Sequence, residues 1–341
     1  MSDRLRLLFI HDSASVCETL AHQARLVGDE VTMILPRRGL TTYHELSSYA
    51  TIVRGGRMET SAEYLDALFL RRYDVAIVSS RLGWVLGALA KNATRRRLVA
   101  ILHGSDIRRL GSIPKTRKLL YSRGLEGCDF IFYASPDTAP LVENLGIPFA
   151  QLPYPVDTEL FAPRGDAESL PGDPAVFVPT RMDADKGTGT IADLVRHVMA
   201  TYKDSILHVV DWPATGRALR AIQETAPPGR IRILGFVDRT SLPRYYRGSS
   251  VLIGQMKLGF GSMTELEAIS CGLPAVFYDR YYGYGTNENN SAAISHFLDS
   301  MITDEAARLR KIEQGFDLIR RVHDSRVVYA EFRKKLVQVA G

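Results

Sequence analysis

Two cations that closely follow a predicted strand could bind a diphosphate. Arg181 and Lys186 lie in the segment PTRMDADKG, directly after an apolar strand predicted over residues 175–178. An arginine contacts phosphate oxygens through its planar guanidinium fork, and a lysine neutralises them as a point charge. Because such pairs are also common on ordinary charged surfaces, a surface role is the alternative that this spacing leaves open.

A glycine loop followed by a capped helix, within residues 251–278, is a second candidate for phosphate contact. Gly259 and Gly261 interrupt the chain after an apolar strand and allow tight turns close to a ligand. The sequence SMTE, Ser262–Glu265, fits a capping box, so a helix is predicted to begin at Met263. The backbone amides at such a helix start, from Gly261 to Met263, can bind an anion.

Two further polar residues could face the same ligand. His103 ends an apolar strand and begins HGSD, which places it at the carboxyl edge of a parallel sheet. A histidine held by local hydrogen bonds is the commoner alternative. Glu267 lies one turn into the capped helix and could accept a hydrogen bond from a ribose hydroxyl. An exposed helical acid is its alternative, and Glu265 is interpreted only as a cap.

The elements that must position these residues alternate between buried strands and helices. Strands are predicted at Leu5–Ile10, Val31–Leu35, Asp74–Ser79, Leu98–Leu102 and Phe130–Ala134, with helices over Ala14–Val27 and Leu82–Lys91. The alternation restarts later with strands at Ala175–Val178, Ile206–Val210, Ile231–Leu234 and Ala275–Tyr278, and with helices over Thr190–Ala200 and after Pro213. This is the pattern of an α/β fold with doubly wound parallel sheets.

Two such domains are predicted, because 341 residues exceed what one core usually supports. We place an N-terminal Rossmann-like domain over residues 1–160 and a second over residues 175–322. The Pro-, Gly- and acid-rich segment between them predicts a linker over 161–174. A C-terminal helix over 323–341 is expected to pack back toward the first domain.

Composition indicates a soluble globular protein, with 45% hydrophobic and 24% charged residues. The opening sequence MSDRLRLLFIHDS predicts neither a signal peptide nor a membrane span, and no stretch reaches about 18 uninterrupted apolar residues. Cys17, Cys128 and Cys271 are odd in number and widely spaced, which favours buried thiols in a reducing cytoplasm over disulfides or a cysteine-rich zinc site.

Positive charge is concentrated in residues 81–123, which hold eleven Lys or Arg against the single acid Asp106. A solvated basic face is the plain interpretation. The functional alternatives are contact with an anionic membrane, at the inner membrane face, or a phosphate-bearing acceptor. Nucleic acid is not expected, because few aromatic residues lie among the arginines and no recognition motif is visible.

Four motifs in a fixed order identify a resemblance. HGSD, VDTELFAP, R-x4-KG and ELEAISCGLP follow one another between about His103 and Phe277. This order resembles the retaining glycosyltransferases of family 4, glycosyl transferases group 1. That resemblance implies the GT-B fold, in which two doubly wound Rossmann-like domains face each other across a cleft.

The resemblance also implies roles for individual residues. Arg181 and Lys186 would bind the donor diphosphate, Glu267 the nucleotide ribose, and His103 would lie near the donor sugar. No metal and no cofactor beyond the nucleotide-sugar donor would be needed.

This sequence departs from the usual pattern of the family at two places that concern the donor sugar. A subset of members with a similar loop makes Gln255 and Lys257 candidate donor contacts. Gly259 stands where many members carry a glutamate that contacts the donor sugar, so the identity of the sugar stays open.

The predicted activity is the transfer of a sugar from a nucleotide-diphosphate sugar to a hydroxyl acceptor, a glycan or a lipid-linked molecule, with retained configuration and without metal. One alternative is a catalytically weak sugar-nucleotide-binding partner protein. A sugar-nucleotide epimerase on the same architecture is another, although no acid/base pair for moving a sugar proton is evident. A dehydrogenase is disfavoured because no G-x-G-x-x-G follows the first strand.

Overall fold

The computed structural model describes residues 4–12, 14–36, 50–53, 57–182, 184–211, 220, 223 and 226–341. The chain forms two compact units, one of Met1–Pro155 with Ser325–Gly341 and the other of Val156–Asp324. Each unit has its own sheet of parallel strands with helices between them. The predicted fold class, with two doubly wound α/β domains, is therefore confirmed.

The first unit contains a seven-stranded sheet in the order β3-β2-β1-β4-β5-β6-β7, with all strand pairs parallel. Its strands are β1 Arg6–Ile10, β2 Glu30–Pro36, β3 Ala50–Val53, β4 Val75–Val78, β5 Arg97–Leu102, β6 Phe130–Tyr133 and β7 Phe149–Gln151. Its helices before the second unit are α1 Val16–Leu26, α2 Arg57–Leu70, α3 Arg81–Thr94, α4 Ser105–Arg108, α5 Lys115–Glu126 and α6 Ala139–Glu143.

The second unit contains a five-stranded parallel sheet in the order β10-β9-β8-β11-β12. Its strands are β8 Ala175–Val178, β9 Ile206–Val210, β10 Ile231–Leu234, β11 Val251–Ile253 and β12 Ala275–Val276. Its helices are α7 Thr188–Thr201, α8 Leu242–Gly248, α9 Met263–Ser270, α10 Ser291–Thr303 and α11 Glu305–Leu318. The bounds predicted for β8, β9 and β10 are confirmed, while the helix predicted after Pro213 lies largely outside the described residues.

Strand register brings the candidate residues of each unit to one sheet edge. In the first unit β1 and β5 both flank β4, so His11 and His103 follow strands that end at the same edge. In the second unit β8 pairs directly with β11, through Val176 and Val251. Because both strands point the same way, the loops after β8 and β11 leave the sheet side by side.

The last helix, α12 Ser325–Ala340, belongs to the first unit and contacts α1. Asp29, which lies between α1 and β2, binds α12 to the first unit. The Asp29 carboxylate accepts hydrogen bonds from Tyr329 Oη at 2.7 Å and from Arg333 Nε at 2.8 Å. These partners lower the pKa of Asp29 despite its burial.

The segment predicted as a linker, residues 161–174, is packed into the second unit instead. Phe161 is fully buried, and its carbonyl accepts a hydrogen bond from Ser270 Oγ at 2.6 Å. Glu168 N donates to the Arg244 carbonyl at 2.9 Å. The chain passes between units earlier, at Pro155–Val156. Proline and glycine leave this segment without a helical or strand periodicity. Its sequence therefore does not predict that its backbone groups form hydrogen bonds within the second unit.

Candidate functional site

The loops after β8 and β11 are fastened to each other. Met256 N donates to the Lys186 carbonyl at 2.8 Å, and Lys257 Nζ donates to the Ala184 carbonyl at 3.0 Å. Gly187 has a φ of +79°, and a Cβ on it would lie 2.9 Å from the Met256 carbonyl carbon. Only glycine combines this conformation with so close an approach. The two loops are therefore joined to each other. We call them, residues 179–182, 184–187 and 254–262, the platform.

Both predicted cationic phosphate ligands, Lys186 and Arg181, lie in the loop after β8. Lys186 Nζ donates to Ser262 Oγ at 3.4 Å, which places the ammonium group beside the start of α9. Arg181 is exposed in the same loop as Lys186. An ammonium group beside a helix start, with an exposed guanidinium in the same loop, suits an anionic ligand.

The predicted capping box at Ser262–Glu265 is confirmed. The Glu265 carboxylate also does more than cap α9. Its Oε1 accepts from Thr180 Oγ1 at 3.2 Å and from Gln255 N at 2.8 Å, while its Oε2 accepts from Ser262 N at 2.8 Å. The fully buried Glu265 thus joins the ends of β8 and β11 to α9. Because the Ser262 amide is occupied by this carboxylate, it is not one of the free amides predicted for an anion.

Gln255 shapes the loop from within, which differs from its predicted role as a donor contact. Its side chain is fully buried. Oε1 accepts from Lys257 N at 3.1 Å and from Leu258 N at 2.8 Å, and Nε2 donates to the Phe260 carbonyl. Both ends of the amide are therefore used inside the protein. Lys257 itself is exposed.

The glycines of the loop and the first helical residue owe their identities to backbone shape and packing. Gly259 has a φ of +81°, and its carbonyl accepts from Arg280 N at 2.9 Å. A Cβ on Gly261 would lie 3.2 Å from the Phe277 ring, and Met263 is only 6% exposed. Gly261 and Met263 could contact a ligand only through their backbones. A glutamate at position 259 would require a strained left-handed conformation.

Glu267 is buried in an ion pair, so its alternative as an exposed helical acid is wrong. Glu267 Oε1 accepts from Arg239 Nε at 3.0 Å and lies 2.7 Å from Arg239 Nη2. Burial raises the pKa of the Glu267 carboxyl, and Arg239 acts in the opposite direction. Arg239 is itself 3% exposed and lies over the Phe161 ring. The role of Arg239 was not predicted from the sequence, because no local motif indicates that Glu267 is its ion-pair partner.

His103 lies at the carboxyl edge of the first unit's sheet. Both of its ring nitrogens are shielded from solvent and make no hydrogen bond with any described residue. The alternative prediction, that local hydrogen bonds hold the His103 ring, is therefore wrong for the described residues. Burial lowers the pKa of the His103 ring, while Asp106 and Asp12 act in the opposite direction. A neutral imidazole has one donor and one acceptor nitrogen, and no described residue uses either of them here.

The turn after β1 keeps an unusual backbone without glycine. His11 has a φ of +70°, and its Nδ1 lies 3.1 Å from Tyr64 Oη. Burial and the nearby His103 lower the pKa of His11 from 6.5 to about 4. Asp12 caps α1, accepting from the amides of Cys17 at 2.9 Å and Glu18 at 3.1 Å. A carboxylate thus occupies the start of α1.

Much of the basic segment 81–123 stabilises the first unit. Lys91 pairs with Asp129 at 2.9 Å, and Arg108 pairs with Asp137 at 3.0 Å. Four cations on α5, by contrast, are exposed: Lys115, Arg117, Lys118 and Arg123. The segment is therefore partly a structural network and partly an exposed basic surface.

Two searches of the described residues found nothing. None of the described helices is both long enough and apolar enough to span a bilayer. Within the same ranges, no three His, Cys, Asp or Glu side chains are grouped so that they could hold a metal ion.

Two α/β units and a cationic platform beside a helix start are features of a transferase that binds a phosphorylated donor. The model of the family Glycosyl transferases group 1 matches residues 164–315, and that of Glycosyltransferase Family 4 matches residues 13–160. The two matches together cover most of the chain. It therefore belongs to the group 1 and family 4 glycosyltransferases and is a glycosyltransferase of the nucleotide-sugar type. No curated protein sequence matches it.

Solved structures of glycosyltransferases share the fold over nearly the whole chain. Sucrose-phosphate synthase from Thermosynechococcus elongatus has a TM-score of 0.77 at 15% identity, covering 98% of this chain and 99% of that one. Anabaena HepE in complex with UDP-glucose has a TM-score of 0.73 at 14% identity, covering 98% and 100%. A glycosyltransferase from Rickettsia africae has a TM-score of 0.72 at 15% identity, covering 99% of each chain. At these identities the likeness shows the GT-B fold alone.

Proposed function

We propose that the protein transfers a sugar from a nucleotide-diphosphate sugar to a hydroxyl acceptor, with retained anomeric configuration and without a metal ion. The observation that carries this proposal is the placement of Lys186 Nζ, 3.4 Å from Ser262 Oγ at the start of α9. The exposed Arg181 leaves the same strand end. Because HepE and an α-glucosyltransferase of similar fold were solved with UDP-glucose, we take UDP-glucose as the first donor to test.

The proposed chemistry follows from charge. As the anomeric bond breaks, negative charge grows on the leaving diphosphate. Lys186 and Arg181 stabilise that charge, and the platform holds the lysine in place before the reaction begins. The family resemblance gives His103 a role near the donor sugar, and burial, which lowers the pKa of its ring, favours the neutral imidazole for hydrogen bonds with hydroxyl groups. Metal would not be required, since two cations already neutralise the leaving group.

A covalent intermediate on a carboxylate is not part of this proposal. Both carboxylates of α9 are buried and engaged: Glu265 accepts four hydrogen bonds, and Glu267 pairs with Arg239. The acceptor oxygen instead attacks the anomeric carbon on the face that the diphosphate leaves. The departing phosphate oxygen takes the acceptor's proton.

A second candidate function is a sugar-nucleotide-binding protein with weak catalysis. The observation that favours it is Gly259, whose φ of +81° excludes an unstrained glutamate where the family resemblance expects one that contacts the donor sugar.

The acceptor under the main proposal is a glycan or a lipid-linked molecule. The exposed cations of α5 support peripheral contact of the protein, in the cytoplasm, with an anionic membrane.

Product formation separates these candidates. Purified protein is incubated with UDP-glucose, then with other nucleotide sugars and hydroxyl acceptors, and nucleoside diphosphate release is followed together with the product's anomeric configuration by NMR. Turnover with retention, unchanged by chelator and lowered about 100-fold or more in Arg181→Ala, supports the proposal. Inverted product, or wild-type turnover in folded Arg181→Ala, contradicts it. Nucleotide binding without turnover favours the binding protein.

A further inference from the structure

Helix α3 presents an apolar side to solvent. Leu82 and Leu89, which lie on the same side of the helix, are 36% and 55% exposed. The opposite side is in the core, where Trp84 is fully buried. A helix of a soluble unit normally keeps its outer side polar. An apolar outer side among the described residues therefore marks a candidate contact surface.

The neighbouring helix α5 extends this surface. Helices α3 and α5 are in contact and follow consecutive parallel strands, so right-handed crossovers place them on the same face of the sheet. Leu119 and Leu120 of α5 are 61% and 51% exposed. The buried residues of α5, Gly124 and Leu125, point toward the core. We call Leu82, Leu89, Leu119 and Leu120 the leucine face.

Exposed cations lie beside the leucine face. Arg95, which follows α3, is exposed, whereas Arg81 is half-buried and donates to the Asp106 carbonyl at 2.8 Å. On α5, the exposed Lys115 and Lys118 precede Leu119, and Lys118 is its direct neighbour in the chain. Neither lysine is engaged by any hydrogen bond or ion pair of the described residues. Apolar side chains within a basic border suit the boundary between acyl chains and anionic headgroups.

We propose that the leucine face docks the protein on an anionic lipid bilayer, with α3 and α5 lying in the headgroup region. This rests on the membrane contact put forward above and adds the surface that makes it. A second copy of the chain fits less well. A two-fold dimer through this face would oppose two strongly basic surfaces, which repel each other. Anionic lipid neutralises the same charge.

Vesicle co-sedimentation tests the proposal. The probes are phosphatidylcholine vesicles with and without phosphatidylglycerol. Wild-type protein should bind the anionic vesicles, less at high salt, and bind the neutral ones weakly. Leu82→Ser/Leu89→Ser and Leu119→Ser/Leu120→Ser should each lower the partition coefficient about tenfold or more, because each pair removes two apolar side chains from the interface.

The matched control is Leu309→Ser, which removes a 52% exposed leucine between Arg308 and Arg310 of the second unit. It should bind vesicles like wild type. Absence of binding to anionic vesicles, or undiminished binding by both folded leucine variants, overturns the proposal. A wild-type dimer that the leucine substitutions dissociate, without vesicle binding, also overturns it in favour of self-association. UDP-dependent thermal stabilisation without vesicles reports the donor site separately, so a failure here leaves the transferase proposal standing.

Discussion

Replacing Glu267 by glutamine tests the buried ion pair beneath the candidate donor site. The two side chains are 4% and 5% exposed, and Arg239 Nη2 lies 2.7 Å from Glu267 Oε1. Glutamine nearly preserves the shape of the side chain and removes its charge. An arginine in a protein does not lose its proton, so Arg239 would remain charged, buried and without its carboxylate.

The expected cost follows from that geometry. Breaking a buried ion pair by removing one partner costs about 3–5 kcal/mol of stability. Arg239 still lies over the Phe161 ring, 5.3 Å from its centroid, and this contact survives the substitution. A cation–π contact contributes about 0.5–2 kcal/mol, so we expect a loss near the lower end, about 3 kcal/mol.

Urea unfolding measures the loss, and hydrogen exchange at the amides of α9 assigns it to the second unit. Glu313→Gln, an exposed glutamate of α11, is the matched control and should change stability by no more than about 0.5 kcal/mol. The double variant Glu267→Leu/Arg239→Met should recover much of the loss, because neither buried charge remains.

The result that refutes this reasoning is wild-type stability in Glu267→Gln. If that variant stayed stable and lost affinity for UDP, Glu267 would be a ligand of the nucleotide ribose, as the family resemblance implies. Loss of stability with retained affinity, measured well below the unfolding temperature, would assign it to the ion pair.

Three further predictions concern the loops and the first unit. Gly187→Ala should lower stability by at least about 1 kcal/mol, measured by urea unfolding, because φ is +79° and its Cβ would approach Met256. His11, with a pKa of about 4, should make stability fall by up to about 3 kcal/mol from pH 6.5 to 4, since over that range only the unfolded chain binds its proton. Asp29→Asn should lower the thermal midpoint and expose α12 to protease, because Arg333 and Tyr329 lose their charged acceptor.

Each of these has a control within the chain. Gly189→Ala, in α7 with open space around its Cβ, should be neutral or stabilising. His11→Asn suits a positive φ and should flatten the pH profile, and an unchanged profile would show that other groups dominate. Glu331→Gln, exposed on α12, should leave protease resistance unaltered.

Elements buried on both faces could be predicted closely from sequence. Strands β8 and β9 are short apolar runs, as parallel strands covered by helices must be, and their predicted bounds agree with the structure. Helix α5 was not predictable in this way. Its sequence KTRKLLYSRGLE buries little beyond Gly124 and Leu125, so no apolar period marks it.

The candidate site was predictable as a set of cations and a helix start, but its internal connections were not. Glu265 caps α9 in its own sequence, yet its bond to Thr180 depends on β8 lying next to β11. The pairing of Arg239 with Glu267 likewise depends on tertiary packing. Strand order and tertiary packing cannot be predicted from local sequence. Buried polar contacts between residues far apart in the chain therefore cannot be predicted from it either.

Nucleotide affinity most directly tests the claim that the platform of the second unit binds the donor diphosphate. Isothermal titration with UDP and UMP is compared for wild type, Lys186→Met and the control Lys203→Met, an exposed lysine after α7. We predict that wild type and Lys203→Met prefer UDP, and that Lys186→Met loses about tenfold or more in UDP affinity while UMP affinity changes little. Equal UDP affinity in Lys186→Met and wild type would contradict the account.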